Sequence, residues 1–177
     1  MHSAFRNNWL LHQTLARRKS DEPPNDTHDM PSFESLFLKS KGQPITFNEH
    51  TIQMVDLLYV KDGQEIRLEF ESKEADWRQG VSLKTDGAFN VNGQTITKSI
   101  VLWYDTAPRN LLLKIQTGTG ECRVKNVWDT GDGVIQSWHN GAAMIVEKTA
   151  TGRRYRCNDG QPDEDFTDLI FNIQLVG

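Results

Sequence analysis

Residues 155–177 read YRCNDGQPDEDFTDLIFNIQLVG, and this stretch combines two strand patterns with a run of acidic residues. Its end alternates apolar and polar side chains, so that one face carries Leu169, Phe171, Ile173 and Leu175. Its beginning alternates in the same way, with Tyr155 and Cys157 between basic residues. Because successive side chains of a strand point to opposite faces, both ends are predicted to be strands with one buried face.

Between the two strands lies a stretch that we call the acidic loop, residues 158–168. It has no Lys or Arg, and it carries the carboxylates of Asp159, Asp163, Glu164, Asp165 and Asp168. Carboxylates this crowded repel one another unless a cation or solvent neutralises them. In an extended segment Asp163 and Asp165 would point the same way, and Asp168 at the strand entrance could close onto the same point.

Loop carboxylates are the ligands that Ca²⁺ prefers, since it takes about six to eight oxygens in a loose geometry. The loop therefore predicts a Ca²⁺ site formed by its aspartates, with further oxygens from Asn158 and Asp159. The spacing is not that of an EF-hand, because the required glycine and distal glutamate are absent. The alternative is a solvated acidic turn without metal, in a structural or protein-interaction domain.

The string NDGQPDEDFTDLIFNI resembles the calcium-binding signature of two groups of bacterial β-sandwich proteins. One is a domain of unknown function in cell-surface and secreted proteins, with the pattern D-x-D-Y/F-N-D-L/V-V/I-F. The other is the family of small calcium-dependent fucose/mannose-binding lectins. The resemblance covers the end of the chain and implies a calcium-binding β-sandwich, with carbohydrate as a candidate ligand.

The resemblance also implies roles for individual residues. Asp163, Asp165 and Asp168 match the ligand aspartates, and Asn158 or Asp159 matches the upstream acidic ligand. The final glycine, Gly177, is similar to the residue whose carboxylate ends the lectin chains. The chain departs from the pattern at Thr167, where both groups usually have Asn. The gap before Asp163 is also one residue longer, and Gly177 falls one position early.

Length and charge limit the classes of function. The chain has 177 residues and a net charge of −4, and five negative charges lie in the acidic loop, which leaves +1 for the rest. No basic stripe with interleaved aromatic residues is present, so we expect no nucleic-acid partner. No apolar run is long enough to span a membrane, and the start lacks the apolar core of a signal peptide. A cytoplasmic or non-classically exported protein is therefore predicted.

The chain is predicted to divide into an N-terminal tail and linker, residues 1–32, and a β-sandwich domain, residues 33–177. The first 20 residues are basic and permit a short helix, although a poorly ordered terminus is favoured over a docking helix. Residues 20–32 are polar and broken by proline, which is typical of a linker.

From Phe33 onward the pattern predicts only strands. Ile66, Leu68 and Phe70 alternate with charged residues, and the denser apolar runs 99–104 and 111–115 are predicted to be central strands. Turn signals recur at Asp62-Gly63, Asp86-Gly87, Asn92-Gly93, Asp132-Gly133, Asn140-Gly141 and Thr151-Gly152. This spacing predicts an all-β, mainly antiparallel sandwich of the jelly-roll or lectin-like kind.

A second loop and its flanking tryptophans are weaker candidates for ligand binding. Asp129 and Asp132 lie in a glycine-rich loop, and Trp128 and Trp138 flank it. Exposed tryptophans there would suit stacking on a sugar, whereas buried ones would fill the core.

The sequence contains no recognisable nucleophile–base pair, so the predicted function is non-catalytic, with carbohydrate or another protein as partner. Cys122 and Cys157 lie in predicted strands and are expected to be buried thiols, unless export allows a disulfide.

Overall fold

The computed structural model describes residues 31–177. These residues form one helix and eleven strands, in the order α1 Phe33–Lys39, β1 Ile45–Phe47, β2 His50–Gln53, β3 Asp56–Tyr59, β4 Glu65–Ser72, β5 Arg78–Val91, β6 Gln94–Trp103, β7 Asn110–Gln116, β8 Glu121–Asp129, β9 Ala143–Lys148, β10 Gly152–Asn158 and β11 Leu169–Val176. The predicted all-β class is confirmed. Residues 1–20, where a poorly ordered terminus was favoured over a short helix, lie outside the described residues, and the division at residue 32 stays a prediction.

Helix α1 corrects the expectation that only strands follow Phe33. Ser32 caps the helix, because its hydroxyl accepts a hydrogen bond from the Ser35 N–H at 3.3 Å. Phe33 and Phe37 lie one turn apart and are both buried. The capping serine and this spacing were visible in the sequence, and the strong β pattern after them obscured the signal. No helix in residues 31–177 has the length and apolar character needed to cross a membrane.

The strands form a single curled sheet in which all pairs are antiparallel. The order is β1-β2-β9-β10-β11-β4-β7-β5-β8-β3, and β6 pairs with β5 outside this path. The sheet curls at β5, because β8 pairs with its first half and β7 with its second half. The division of this curled sheet into two packed sheets stays a prediction.

The bend of β5 occurs where the sequence predicted a turn. The register between β5 and β6 shifts between Lys84 and Ala88, so Asp86-Gly87 is an irregularity within a long strand and not a hairpin end. The Asp86 carboxylate accepts the Thr117 hydroxyl at 2.6 Å and so braces the turn after β7. A Cβ at Gly87 would lie 2.2 Å from a backbone oxygen of β7, which explains the glycine.

The two dense apolar runs have different places in the sheet. Strand β7 is central, with Leu111, Leu113 and Ile115 buried between β4 and β5, as predicted. Among the strands of residues 31–177, β6 pairs with β5 alone, and most of its side chains are exposed or half-buried. The prediction that β6 is central was wrong, because an apolar run on an outer strand resembles a buried one in sequence.

The main core is formed by inward-facing side chains from all the strands between β3 and β11. Tyr155 of β10 stacks on Phe171 of β11, with ring centroids 4.5 Å apart, and both are fully buried.

Cys122 and Cys157 are free buried thiols, which confirms that part of the sequence analysis. Burial raises the pKa of Cys122 to about 12 and that of Cys157 well above its usual value.

A buried carboxylate connects β3, at one end of the strand order, to β10. Asp56 is 5% exposed and accepts the Tyr155 hydroxyl at 2.8 Å and the Gln53 side-chain amide at 3.0 Å. It also forms an ion pair with Arg153. Since β3 and β10 are not hydrogen-bonded neighbours, these side chains hold the curled sheet together across its interior.

The two faces of β7 provide a matched test of the register. Leu113 is fully buried, whereas its neighbour Leu112 is 46% exposed. We expect Leu113→Ala to lower the free energy of unfolding by roughly 2–5 kcal/mol, because a cavity adds to the lost burial. Leu112→Ala should lower it by less than about 1 kcal/mol. Urea denaturation measures both, and equal losses would contradict the assigned register.

Candidate metal centre

The acidic loop connects the end of β10 to the start of β11, and Asn158 fixes its path. The Asn158 side chain is fully buried, and its amide group donates to the backbone oxygens of Gly141 and Gln161, each at 2.9 Å. Its oxygen faces the N–H of Phe166 at 3.4 Å. The side chain was predicted as a source of ligand oxygen, and the structure instead uses it to hold the loop.

The middle of the loop is not extended, in contrast to the sequence expectation. Glu164 and Phe166 both have left-handed backbone conformations, with φ of 57° and 58°. Phe166 is 4% exposed and packs near Phe33 of α1, with ring centroids 5.9 Å apart. These two residues alternate with Asp163 and Asp165. The anchored phenylalanine therefore turns the chain so that the aspartates stay outside the apolar cluster.

Three carboxylates converge at this point. One oxygen from each of Asp163, Asp165 and Asp168 lies within 4.8 Å of the others. Asp163 and Asp165 are exposed, whereas Asp168 at the strand entrance is 5% exposed. None of the three forms an ion pair with Lys or Arg within the described residues. The group can therefore hold a metal ion, with only oxygen as donor.

Asp159 lies behind this group and positions it. Its backbone N–H donates to Asp168 Oδ2 at 2.6 Å. Its own carboxylate is fully buried and accepts the Gln161 N–H at 2.8 Å and the Gln79 side-chain amide at 2.7 Å. Asp159 is thus engaged on both oxygens and is not one of the three converging aspartates. Gln79, which comes from β5, gave no sequence signal, because its partner is 80 residues away.

Burial and crowding shift the pKa values of the inner carboxyl groups upward. The pKa of Asp168 is raised to about 7, mainly by desolvation and in part by the charges of Asp159, Asp163 and Asp165, while the hydrogen bond from the Asp159 N–H opposes the rise. Desolvation is also the main cause of the raised pKa of Asp159. Both shifts show that negative charge is disfavoured here without a cation.

In the second acidic loop, which contains Asp129 and Asp132, the carboxylates accept hydrogen bonds from the backbone of the loop itself. Asp129 accepts the N–H groups of Gly131 and Gly133 at 2.8 and 3.0 Å, and Asp132 accepts that of Val134 at 3.0 Å. These hydrogen bonds lower the pKa of Asp129. Neither carboxylate belongs to the converging group found within residues 31–177. The arrangement is that of an ordinary Asx turn.

The two tryptophans predicted as ligand-binding residues differ in exposure. Trp128 is 2% exposed and lies under the acidic loop, where a Cβ on Gly160 would come within 2.8 Å of its ring. It offers no face to a ligand. Trp138 is 44% exposed, has φ of 59°, and stacks on His139 at 4.8 Å. Trp138 lines a small apolar cavity together with Phe37 of α1.

Gly177 cannot complete this centre within one chain. Strand β11 runs from Leu169 to Val176 and separates Asp168 from Gly177 by its whole length. At 3.3 Å per residue this is about 25 Å, far beyond any metal–ligand distance. The role that the resemblance implies for Gly177 is therefore excluded inside a single copy of the chain.

Comparison with known proteins adds no relative to these observations. No protein-family model, curated protein or solved structure gives a significant match to the chain. The geometry of the acidic loop is therefore the basis for a functional proposal.

The raised pKa of Asp168 predicts a pH dependence in protein kept free of metal by a chelator. The pKa of Asp168 is about 7 in the folded protein, whereas an unfolded aspartate has a pKa of about 4. Protonation of Asp168 therefore stabilises the folded state. This stabilisation is complete below about pH 4 and is lost as the pH rises through about 7. Between about pH 5 and pH 7, the wild type should lose roughly 1–2 kcal/mol more than Asp168→Asn, a range that allows for screening by solvent at the loop. The variant keeps an acceptor for the Asp159 N–H. Urea denaturation measures this, and parallel curves for the two proteins would contradict the assignment.

Proposed function

We propose that the chain is a non-catalytic calcium-binding module in which Asp163, Asp165 and Asp168 bind the ion. The supporting observation is their convergence, with ligand oxygens within 4.8 Å of one another. Two oxygens on the same Ca²⁺, each at about 2.3–2.6 Å, can be at most about 5 Å apart. The three carboxylates therefore suit one shared ion with small adjustments of exposed side chains.

The donor set favours calcium over softer metals. The group contains carboxylate oxygens alone, with no His or Cys. Zn²⁺ sites in proteins usually include nitrogen or sulfur ligands, whereas Ca²⁺ takes oxygen ligands in irregular loops. Two of the three aspartates are exposed, so backbone oxygens and water can fill the remaining positions.

Electrostatics supports the same ion. Each pair of like charges at this separation costs on the order of 1–4 kcal/mol at dielectric values between those of water and a protein surface. Asp168 carries an additional penalty because it is desolvated. A bound divalent cation offsets the repulsion between the aspartates and the desolvation penalty of Asp168. Because the aspartates converge only in the folded state, the cation binds that state preferentially and stabilises it.

Calcium should therefore stabilise the folded protein. At a hundredfold excess over Kd, binding adds about 2.7 kcal/mol, which corresponds to a rise of roughly 5–10 °C in melting temperature for a domain of this size. Asp165→Asn should remove this rise while keeping the hydrogen bond from the Thr167 N–H, which Asp165 Oδ1 accepts at 2.8 Å. Thermal melting in calcium and in chelator measures both effects.

Glu164→Gln is the matched control, since it removes one negative charge from the neighbouring position, outside the converging group. It should keep most of the calcium effect. A wild type whose melting is the same in calcium and in chelator would make the loop a solvated turn and favour a metal-free structural or protein-interaction domain. Loss of the effect in both variants would show that general charge, and not the three-aspartate site, attracts the ion.

A carbohydrate ligand is the finer part of the proposal and is supported by the resemblance to calcium-dependent lectins. Because Trp128 is buried, a sugar at this loop would be bound through its hydroxyl groups and not by stacking on that ring. A glycan array probed with and without chelator tests it. Calcium-dependent binding that is lost in Asp165→Asn is the expected result, and an array without calcium-dependent signals would limit the function to ion binding.

A further inference from the structure

A groove lies at the other end of β10 from the acidic loop. It has a volume of about 620 Å³, which is within the range of binding pockets. One wall is formed by the end of β3 and the other by the turn between β9 and β10, and the lining includes Leu58, Tyr59, Lys61, Lys148, Arg153 and Leu175. Within residues 31–177, β3 pairs with β8, and no residue of β8 lines the groove, so the groove lies on the other side of β3.

The edge of β3 on this side has free backbone groups. Just after β3, the Val60 N–H donates to the Gly120 oxygen at 3.0 Å. In an antiparallel pair every second residue forms hydrogen bonds to the partner strand, so the backbone groups of Leu58 and Asp56 also point toward β8. Those of Leu57 and Tyr59 therefore point away from β8. They have no hydrogen-bond partner within residues 31–177. An edge of this kind is a template for another strand.

The charged side chains that line the groove are all positive. Its lining side chains include Lys61, Lys148 and Arg153 and no Asp or Glu. Lys148 and Arg153 are directly opposite each other in the β9–β10 pair, which places two like charges side by side. Asp56 engages one nitrogen of the Arg153 guanidinium, whereas neither lysine has an ion pair in the described part of the chain.

We infer that this groove binds an extended acidic segment of a partner protein, which pairs with the free edge of β3. Backbone hydrogen bonds to Leu57 and Tyr59 would hold the segment, and the two lysines and Arg153 would select for carboxylates. Tyr59 is 65% exposed and offers a ring against which an apolar side chain of the segment can pack. The site is independent of the proposed calcium function, because the length of β10 separates it from the acidic loop.

The test uses the full chain in chelator and low salt. The probe is a short capped peptide of alternating glutamate and valine, labelled for fluorescence anisotropy. Saturable binding is expected, together with slowed hydrogen exchange at the Leu57 and Tyr59 amides. Lys148→Glu should weaken binding about tenfold. Lys98→Glu, at an exposed position of β6 outside the groove, makes the same change of charge and should leave binding unaltered.

The second probe is the same peptide with N-methyl groups on alternate residues, which keeps the charge and removes the backbone donors. It should fail to bind. Equal binding of both peptides would mean that charge alone attracts them, and it would overturn strand addition. Absence of binding by the first peptide, or equal effects of Lys148→Glu and Lys98→Glu, would also overturn the inference, and the lysines would then serve to keep the edge of β3 unpaired.

Discussion

One buried carboxamide, that of Asn158, holds the acidic loop in its shape. It is fully buried and bonds to the oxygens of Gly141 and Gln161, so the loop before β9 and the loop after β10 are fixed to each other. A buried polar group left without partners costs about 1–3 kcal/mol, which makes other loop conformations unfavourable. The convergence of the aspartates depends on this constraint, because two of them are exposed and have no packing of their own.

The same loop carries an electrostatic conflict that the fold does not relieve. Asp168 is buried because it directly precedes β11, the strand whose Phe171 stacks on Tyr155 in the core. Its carboxylate then faces two further aspartates, and desolvation raises its pKa to about 7. The hydrogen bond from the Asp159 N–H compensates for this only in part. A structure that maintains such a conflict gains stability from a cation, and this is the physical basis of the proposed calcium site.

The sequence predicted the features that depend on local pattern. Alternation predicted β4, β10 and β11, the dense apolar run 111–115 predicted β7, and the spacing of Asp163, Asp165 and Asp168 predicted their convergence. It failed where partners distant in sequence decide the outcome. Asp86-Gly87 has turn chemistry, but its carboxylate braces a different loop, and Gln79 reaches Asp159 across the fold. Helix α1 was missed because seven residues contribute little periodicity beside a long β pattern.

Terbium, a luminescent substitute for calcium, can report directly on the proposed metal centre when tryptophan is excited. Trp128 lies under the loop, in close contact with Gly160, so an ion held by Asp163, Asp165 and Asp168 would be near enough to receive its energy. A metal centre formed by these aspartates should give saturable terbium emission that calcium displaces and that Asp165→Asn abolishes. Emission that is absent, or that persists unchanged in Asp165→Asn, would contradict a metal centre at this loop.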